Sequence, residues 1–244
     1  EEDCFEIIKK YLDYMPPNHN ELPPLRPVPE GSEERMAKIL DMFPENRARA
    51  YDMHKIIECV VDGGEYLELK PKWGAMLITC LSRINGQVVG IIASNPIVGL
   101  GATNTDALEK STSFMCLCDS FQVTVPKISI IIRKNYGQAM INNCAMGAGC
   151  DFTVAWPTAE ISFMDPAIGA DVVYGKLPEE ERQKMKDKML ADTSPYPAAR
   201  GYWVHDILNP YDTRNYLIDV LNIIRDSEDR GMSKHLLANW QKKF

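Results

Sequence analysis

The stretch that decides the fold runs from Val125 to Asp165, VPKISIIIRKNYGQAMINNCAMGAGCDFTVAWPTAEISFMD. Lys127 to Ile132 is a short run of apolar, β-branched residues and predicts a buried strand. The chain then turns through Asn135-Tyr136-Gly137-Gln138-Ala139. Gln138 to Met146 holds small and helix-tolerant residues and predicts a helix. Asp151 to Trp156 predicts a second strand, Pro157-Thr158-Ala159 a turn, and Glu160 to Met164 a third strand. A strand that bends sharply into a helix leaves backbone N–H groups free at the helix start. Aided by the helix dipole, those groups can hold a developing negative oxygen. A plain βαβ core unit with a glycine turn and no chemistry accounts for the same pattern.

Working outward, 244 residues suffice for one large domain, or a domain with extensions, with a sizeable core. The apolar fraction of 45% fits a globular protein. A net charge of −7 argues against non-specific nucleic-acid binding, which needs a clustered positive field. No apolar run is long enough to span a bilayer, and no signal peptide is read at the start. The seven cysteines are scattered and form neither a disulfide framework nor a zinc pattern. A reducing, cytoplasmic setting is therefore expected, or the mitochondrial matrix if a targeting segment once preceded Glu1.

Phe5, Ile8, Leu12 and Met15 have helical spacing, and Pro16-Pro17 ends that helix. Asn18 to Ser32 is a proline-rich connector, and Ser32 is placed to cap a short helix from Glu33 to Leu40. Tyr51 to Val61 predicts a helix closed at Asp62-Gly63-Gly64. Ala75 to Ile84 and Gln87 to Ser94 are apolar runs joined by Asn85-Gly86, a hairpin signal. Asn95 to Thr105 predicts a loop, and Thr105 the cap of a helix from Asp106 to Cys118. Beyond the central stretch, Gly169 to Gly175 predicts a loop, Glu179 to Leu190 a charged helix and Pro195 to Ala199 a linker. Thr213 is placed to cap a helix to about Ile224, and Ser233 to Phe244 predicts a final amphipathic helix. His19, His54, His205 and His235 have no partner carboxylate or second histidine at metal spacing, and read as structural or exposed.

RKNYGQAM followed by AWPTAEISFMDP resembles the RKxYGGAY…AWPxAEIxVM signature of biotin-dependent acyl-CoA carboxyltransferases. The opening EEDCFEIIKKYLDYMP resembles the start of that family's C-terminal half. YDMHKIIECVVDGGEYLELKPKWGAMLITCLSRINGQVVGIIASNP and ARGYWVHDILNPYDTR resemble later segments of it, so the likeness covers nearly the whole chain in order. The resemblance implies an α/β protein with a crotonase-like ββα superhelix. Residues 1–66 would form an N-terminal helical extension and linker, and residues 67–244 the carboxyltransferase domain with its C-terminal helices.

One junction departs from the family. Asp119-Ser120-Phe121 should lead into a strand, a D-x-P-G-F loop and a helix, yet the chain passes through Gln122-Val123-Thr124 straight to Val125-Pro126. A segment is therefore expected to be missing between about Phe121 and Val123. In the family it lines the catalytic pocket.

The chemistry implied by the resemblance is transfer of a carboxyl group between carboxybiotin and the α-carbon of an acyl-CoA. Negative charge then develops on the enolate and ureido oxygens, and preorganised N–H donors in a dry pocket stabilise it. The donors singled out are the backbone N–H groups of Gln138 and Ala139, with Gly137 allowing the turn. The family pattern is G-G-A, so Gln138 stands where a glycine is usual; its amide adds a donor or narrows the pocket. Tyr136 is a candidate substrate or biotin contact, although core packing explains it as well. Asn95, Gly99, Gly101 and Ala102 lie in the loop that frames the active site of crotonase-like proteins. Biotin on a carrier and an acyl-CoA substrate are implied. So are, as partners, a CoA-binding carboxyltransferase half, a biotin carboxylase and the biotin carrier, in a homo- or hetero-oligomer. Competing readings are a biotin-dependent decarboxylase of the glutaconyl- or methylmalonyl-CoA type, a hydratase or isomerase without biotin, and a non-catalytic scaffold half. The hydratase reading lacks a glutamate pair at the loops after Ser94 and Gly137.

Overall fold

Asn85 and Gly86 both have positive φ, 52° and 74°. That is the backbone of a type I′ turn, and it joins strands Leu77–Ile84 and Gln87–Ser94 as the sequence predicts. The structure is a computed structural model that describes residues 2–18, 21–47, 49–121, 126–137 and 150–225. The helices are α1 (Glu2–Asp13), α2 (Met53–Val60), α3 (Thr105–Phe121), α4 (Pro166–Tyr174), α5 (Glu179–Asp192), α6 (Pro195–Arg200) and α7 (Thr213–Arg225). The strands are β1 (Tyr66–Glu68), β2 (Leu77–Ile84), β3 (Gln87–Ser94), β4 (Ile128–Ile131), β5 (Lys134–Tyr136), β6 (Phe152–Ala155), β7 (Glu160–Ser162) and β8 (Asp206–Ile207). Contacts divide the chain into two units, Glu1–Val125 with Tyr211–Phe244, and Pro126–Pro210.

In the first unit, β1, β2 and β3 form an antiparallel sheet in that order. Strand β2 is buried along nearly its whole length. Helix α3 covers the sheet: Phe114 packs with Leu81 and Tyr14, joined by Val88, Leu117 and Cys118. Fully burying an aliphatic side chain of this kind contributes about 1.5–3 kcal/mol. A Cβ on Gly90 would lie 2.7 Å from Cys118 Sγ and 3.2 Å from the Phe114 ring, so glycine permits the close approach of α3 to β3. Lys110 of α3 is buried, its Nζ donating to Leu77 O at 2.7 Å, and burial holds its pKa below the usual lysine range.

A buried polar knot ties distant parts of this unit. The Asp62 carboxylate accepts from the backbone N–H groups of Asn85 at 3.0 Å and Gly86 at 2.7 Å, and from the Arg214 guanidinium of α7 at 2.5 Å. Arg214 also donates to Val60 O at 2.6 Å. Neither Asp62 nor Arg214 is more than 5% exposed. The knot therefore fastens the hairpin turn, the end of α2 and the start of α7.

In the second unit, β4, β6 and β8 form a parallel sheet, and β5 pairs with β7 in parallel. Ile131, Ala155, Ala159 and Val204 make its core, and Trp156 N–H donates to Ile131 O at 2.9 Å. The Asp165 side chain accepts from Ala167 N–H and caps α4, with Pro166 at its first turn. Residues 169–175, expected as a loop, are thus mostly the body of α4, whose Gly169 faces Met164 and Met189 of α5. Residues 195–199, expected as a linker, belong to α6, which starts on a proline.

Other caps differ from expectation. Asn104, not Thr105, caps α3, its Oδ1 accepting from Ala107 N–H. Ser32 caps no helix: its hydroxyl donates to Pro29 O and accepts from Gly63 N–H. His54 has carboxylate partners after all, Glu68 at 3.1 Å and Asp52 at 3.4 Å. His205 accepts from Thr153 N–H at Nδ1. The helix expected from Gln138 to Met146, the one from Ser233 to Phe244, His19 and His235 lie outside the described residues.

Candidate functional site

The bend at Gly137 ends β5. The parallel register places Lys134 opposite Glu160, Asn135 opposite Ile161 and Tyr136 opposite Ser162. Gly137 follows with φ +59°, and its N–H donates to Ser162 O at 3.0 Å. A Cβ there would stand 3.1 Å from Phe163 O, so the left-handed backbone and the crowding both call for glycine. The Gly137 N–H is spent on the strand pairing, and the two expected donor residues of the bend follow it. Those residues, Gln138 and Ala139, lie outside the described residues.

The residues leading into the bend are held firmly. The Tyr136 hydroxyl donates to the Glu160 carboxylate across the strand pair, and Glu160 N–H donates to Arg133 O at 2.9 Å. Asn135 is 5% exposed, and its Oδ1 is buried with no hydrogen-bond partner among the described residues. Phe163, beside the bend, is 79% exposed, and Ile168, Val172 and Val173 of α4 are exposed as well. The sequence reading did not single out Glu160 as a partner of Tyr136. The signal was present in the AWPTAEISFMDP motif, but only the β5–β7 register shows what the glutamate touches.

The second group of candidates lies in the first unit, in the loop after β3. Asn95 is 7% exposed; its N–H donates to Met76 O at 2.8 Å and its Nδ2 to Ala75 O at 3.1 Å. Its Oδ1 is buried without a hydrogen-bond partner among the described residues. Gly99, Leu100 and Gly101 have φ of +55°, +57° and +73°. Gly101 N–H donates to Val98 O, and Ala102 N–H to Gly99 O, so both amides are engaged within the loop. A Cβ on Gly99 would meet Met76 Cε at 2.6 Å, whereas Gly101 has only ordinary contacts. Both groups of candidates lie at or after the last residues of strands, β5 in one case and β3 in the other. Tyr136 and Gly137 belong to one unit, and Asn95, Gly99, Gly101 and Ala102 to the other.

Among the described residues, no group of three or more His, Cys, Asp or Glu is arranged to hold a metal ion, and no helix is long and apolar enough to cross a membrane. Burial pushes the Cys80 thiol up to about 12 and the Cys118 thiol up to about 11, so neither is a ready nucleophile. What the geometry offers is a glycine bend rooted in a locked strand pair. Its own N–H is committed to Ser162 O.

The family model described as the carboxyl transferase domain matches residues 1–124 and 122–236, almost the whole chain. This chain belongs to the carboxyl transferase family. The chain is 31% identical to the methylmalonyl-CoA decarboxylase subunit alpha of Veillonella parvula, over 96% of this chain and 53% of that one. It is 30% identical to the methylmalonyl-CoA carboxyltransferase 12S subunit of Propionibacterium freudenreichii subsp. shermanii, with the same two coverages. Among solved structures, transcarboxylase 12S, a hexamer with methylmalonyl-coenzyme A and methylmalonic acid bound, superposes with a TM-score of 0.84 at 28% identity. That match covers 92% of this chain and 51% of the other, and it assigns the crotonase-like carboxyltransferase fold. The chain spans about half the length of the curated relatives it matches. The alignment with the Veillonella subunit extends over 273 residues, more than the 244 present here, so that relative has positions for which this chain has none. The two stretches matched by the family model meet at residues 122–124.

Proposed function

We propose that this chain is one half of the catalytic body of a biotin-dependent acyl-CoA carboxyltransferase, and that it contributes the bend at Gly137-Gln138-Ala139 to the transfer site. The observation that carries the reading is that bend. Its glycine is required by φ +59° and by Phe163 O, and its root is clamped by Tyr136 and Glu160. Carboxybiotin, brought in on its carrier, supplies or accepts the carboxyl group. The backbone N–H groups of Gln138 and Ala139 are the donors proposed to hold the oxygen that becomes negative, and the Gly137 turn directs them. Asn95, Gly99, Gly101 and Ala102, in the loop after β3, are proposed to shape the approach of the acyl-CoA or biotin, and Tyr136 to back the bend. The names of the relatives favour a methylmalonyl-CoA or propionyl-CoA substrate. Two decarboxylase subunits among them favour, as the second reading, the decarboxylating direction with the same site.

Because the chain spans about half of its relatives, we place a CoA-binding carboxyltransferase half beside it as the required partner. A biotin carboxylase and a carrier complete the proposed oligomeric system. The test is exchange of carboxyl between carboxybiotin and a panel of acyl-CoAs, by the purified chain with and without a candidate partner half. The expected result is avidin-sensitive exchange only in the mixture. Assembly with that partner but no exchange with any acyl-CoA would overturn the catalytic reading in favour of a scaffold.

A further inference from the structure

We propose that Lys110 is the positioning residue of the loop 95–104, pinning the far end of that loop on Leu77 so that the loop stands preformed for the arriving substrate, acyl-CoA or carboxybiotin. The proposal rests on the reading of that loop given above and adds the group that holds it in place.

The backbone of β2 shows why an anchor is needed. Leu69 N–H donates to Thr79 O at 2.8 Å, so the odd-numbered residues of β2 turn their backbone groups toward β1. Strand β1 ends at Glu68, opposite Cys80. Leu77, two residues before Thr79, therefore turns its carbonyl to the side where β1 has run out. A buried backbone carbonyl demands a donor. Lys110 Nζ supplies it at 2.7 Å, one turn before Phe114 on the face of α3 that covers the sheet.

The same short segment holds the rest of the loop. Asn95 N–H donates to Met76 O at 2.8 Å, and Asn95 Nδ2 donates to Ala75 O at 3.1 Å. The carbonyls of Ala75, Met76 and Leu77, three in succession, are thus taken by the residue that opens the loop and by one just past its end. Between them, a Cβ on Gly99 would meet Met76 Cε at 2.6 Å. A Cβ on Gly74 would stand 2.9 Å from Asp106 O, so the first turn of α3 also rests on this segment. Entry, middle and exit of the loop all bear on residues 74–77, while Leu100 at its tip is 81% exposed.

Both polar anchors are costly. Lys110 is 1% exposed, and burying an ammonium group costs far more than burying a methionine or leucine in its place. Asn95 spends its Nδ2 on Ala75 and leaves Oδ1 buried without a hydrogen-bond partner among the described residues. Packing of α3 on the sheet calls for neither group. What the two have in common is the loop that runs between them.

The experiment compares the full chain with Lys110→Met, which keeps the bulk and removes the donor, and with Leu117→Ala, which weakens the packing of α3 and leaves the anchor intact. Hydrogen–deuterium exchange is read at the amides of Gly101 and Ala102, both engaged within the loop. They should exchange at least about tenfold faster in Lys110→Met than in the unaltered chain, and at the unaltered rate in Leu117→Ala, with Ile78 and Cys80 of β2 unchanged in both. Carboxyl exchange is then measured with the partner half, varying acyl-CoA and carboxybiotin in turn. Lys110→Met should raise KM about fivefold or more for whichever of the two passes the loop, with kcat within about twofold. Should Lys110→Met not fold, Lys110→Gln carries the same readouts. Equal loop exchange in the unaltered chain and the Lys110 variant would overturn the proposal, and so would equal loosening by Leu117→Ala. A loosened loop with both KM values unchanged would overturn the positioning role. An unaltered chain that is inactive with its partner removes the carboxyl-exchange reading instead, and the Gly101 and Ala102 amides still decide the anchor.

Discussion

Gly137 shows how one residue carries two constraints. Its φ of +59° costs an alanine about 1–2 kcal/mol, before the contact with Phe163 O is counted. Gly137→Ala should therefore lower the urea midpoint, and in the proposed two-half assay it should abolish exchange, because the turn that aims the following amides is lost. The Asp62–Arg214 pair is the second residue-scale test. Arg214→Met leaves the Asp62 carboxylate buried with only the Asn85 and Gly86 amides, and should destabilise by about 3–5 kcal/mol, read from urea unfolding. Thiol chemistry gives a third. Cys80 and Cys118, with pKa values raised by burial, should resist iodoacetamide at pH 8 in the native protein, while exposed Cys4 is labelled; mass spectrometry of the peptides reads this directly. At this scale the sequence was partly legible. Gly137 was identified from its place in the turn, and the structure adds the φ and the neighbouring carbonyl that make it necessary. The Glu160 contact with Tyr136 was not legible, because it joins residues of two strands whose register no local pattern encodes.

Among the elements, the hairpin was read correctly because Asn85-Gly86 is a local instruction, and local instructions survive folding. The caps were read less well. Thr105 and Asn104 are both good capping residues, and only the backbone geometry chose Asn104; Asn104→Ala should cost about 1 kcal/mol in α3, measurable as a lower thermal midpoint. The expectation of a loop over Gly169 to Gly175 fails because Asp165 and Pro166 start a helix there, and Gly169 is where Met164 and Met189 come close. Helix α1 ends on Asp13, whose carboxylate accepts from Arg26 and Arg83. The hydrogen bond from Arg26, aided by Arg83, holds the Asp13 pKa below the usual carboxylate range. A depressed folded pKa adds stability that is complete above the unfolded value near pH 4, and that is lost as pH falls through the lower folded value. Asp13→Asn should thus lower stability slightly at neutral pH, by less than about 1 kcal/mol since solvent screens a pair this exposed, and flatten the acid limb below about pH 4 by the same amount.

For the molecule as a whole, the family and fold were legible because motif and order agree along nearly the entire chain, and the structural match to transcarboxylase 12S bears them out. The candidate site was legible only as two stretches of sequence. The candidate residues fall in two contact units, and Gln138 and Ala139, the proposed donors, follow a bend whose own N–H is already committed. The division into units has a further meaning through the Asp62 knot. The first unit is discontinuous: its sheet comes from residues before 95, and Arg214 arrives after the whole second unit has been made. A nascent polypeptide leaving the ribosome will therefore expose its hairpin long before the guanidinium that neutralises Asp62 has been synthesised. Release after Pro210 should yield a product that stays soluble less well than the complete translation product, as a pelleting assay would record. The contact that completes the hairpin turn is supplied by a residue 152 positions further along the polypeptide than Asp62.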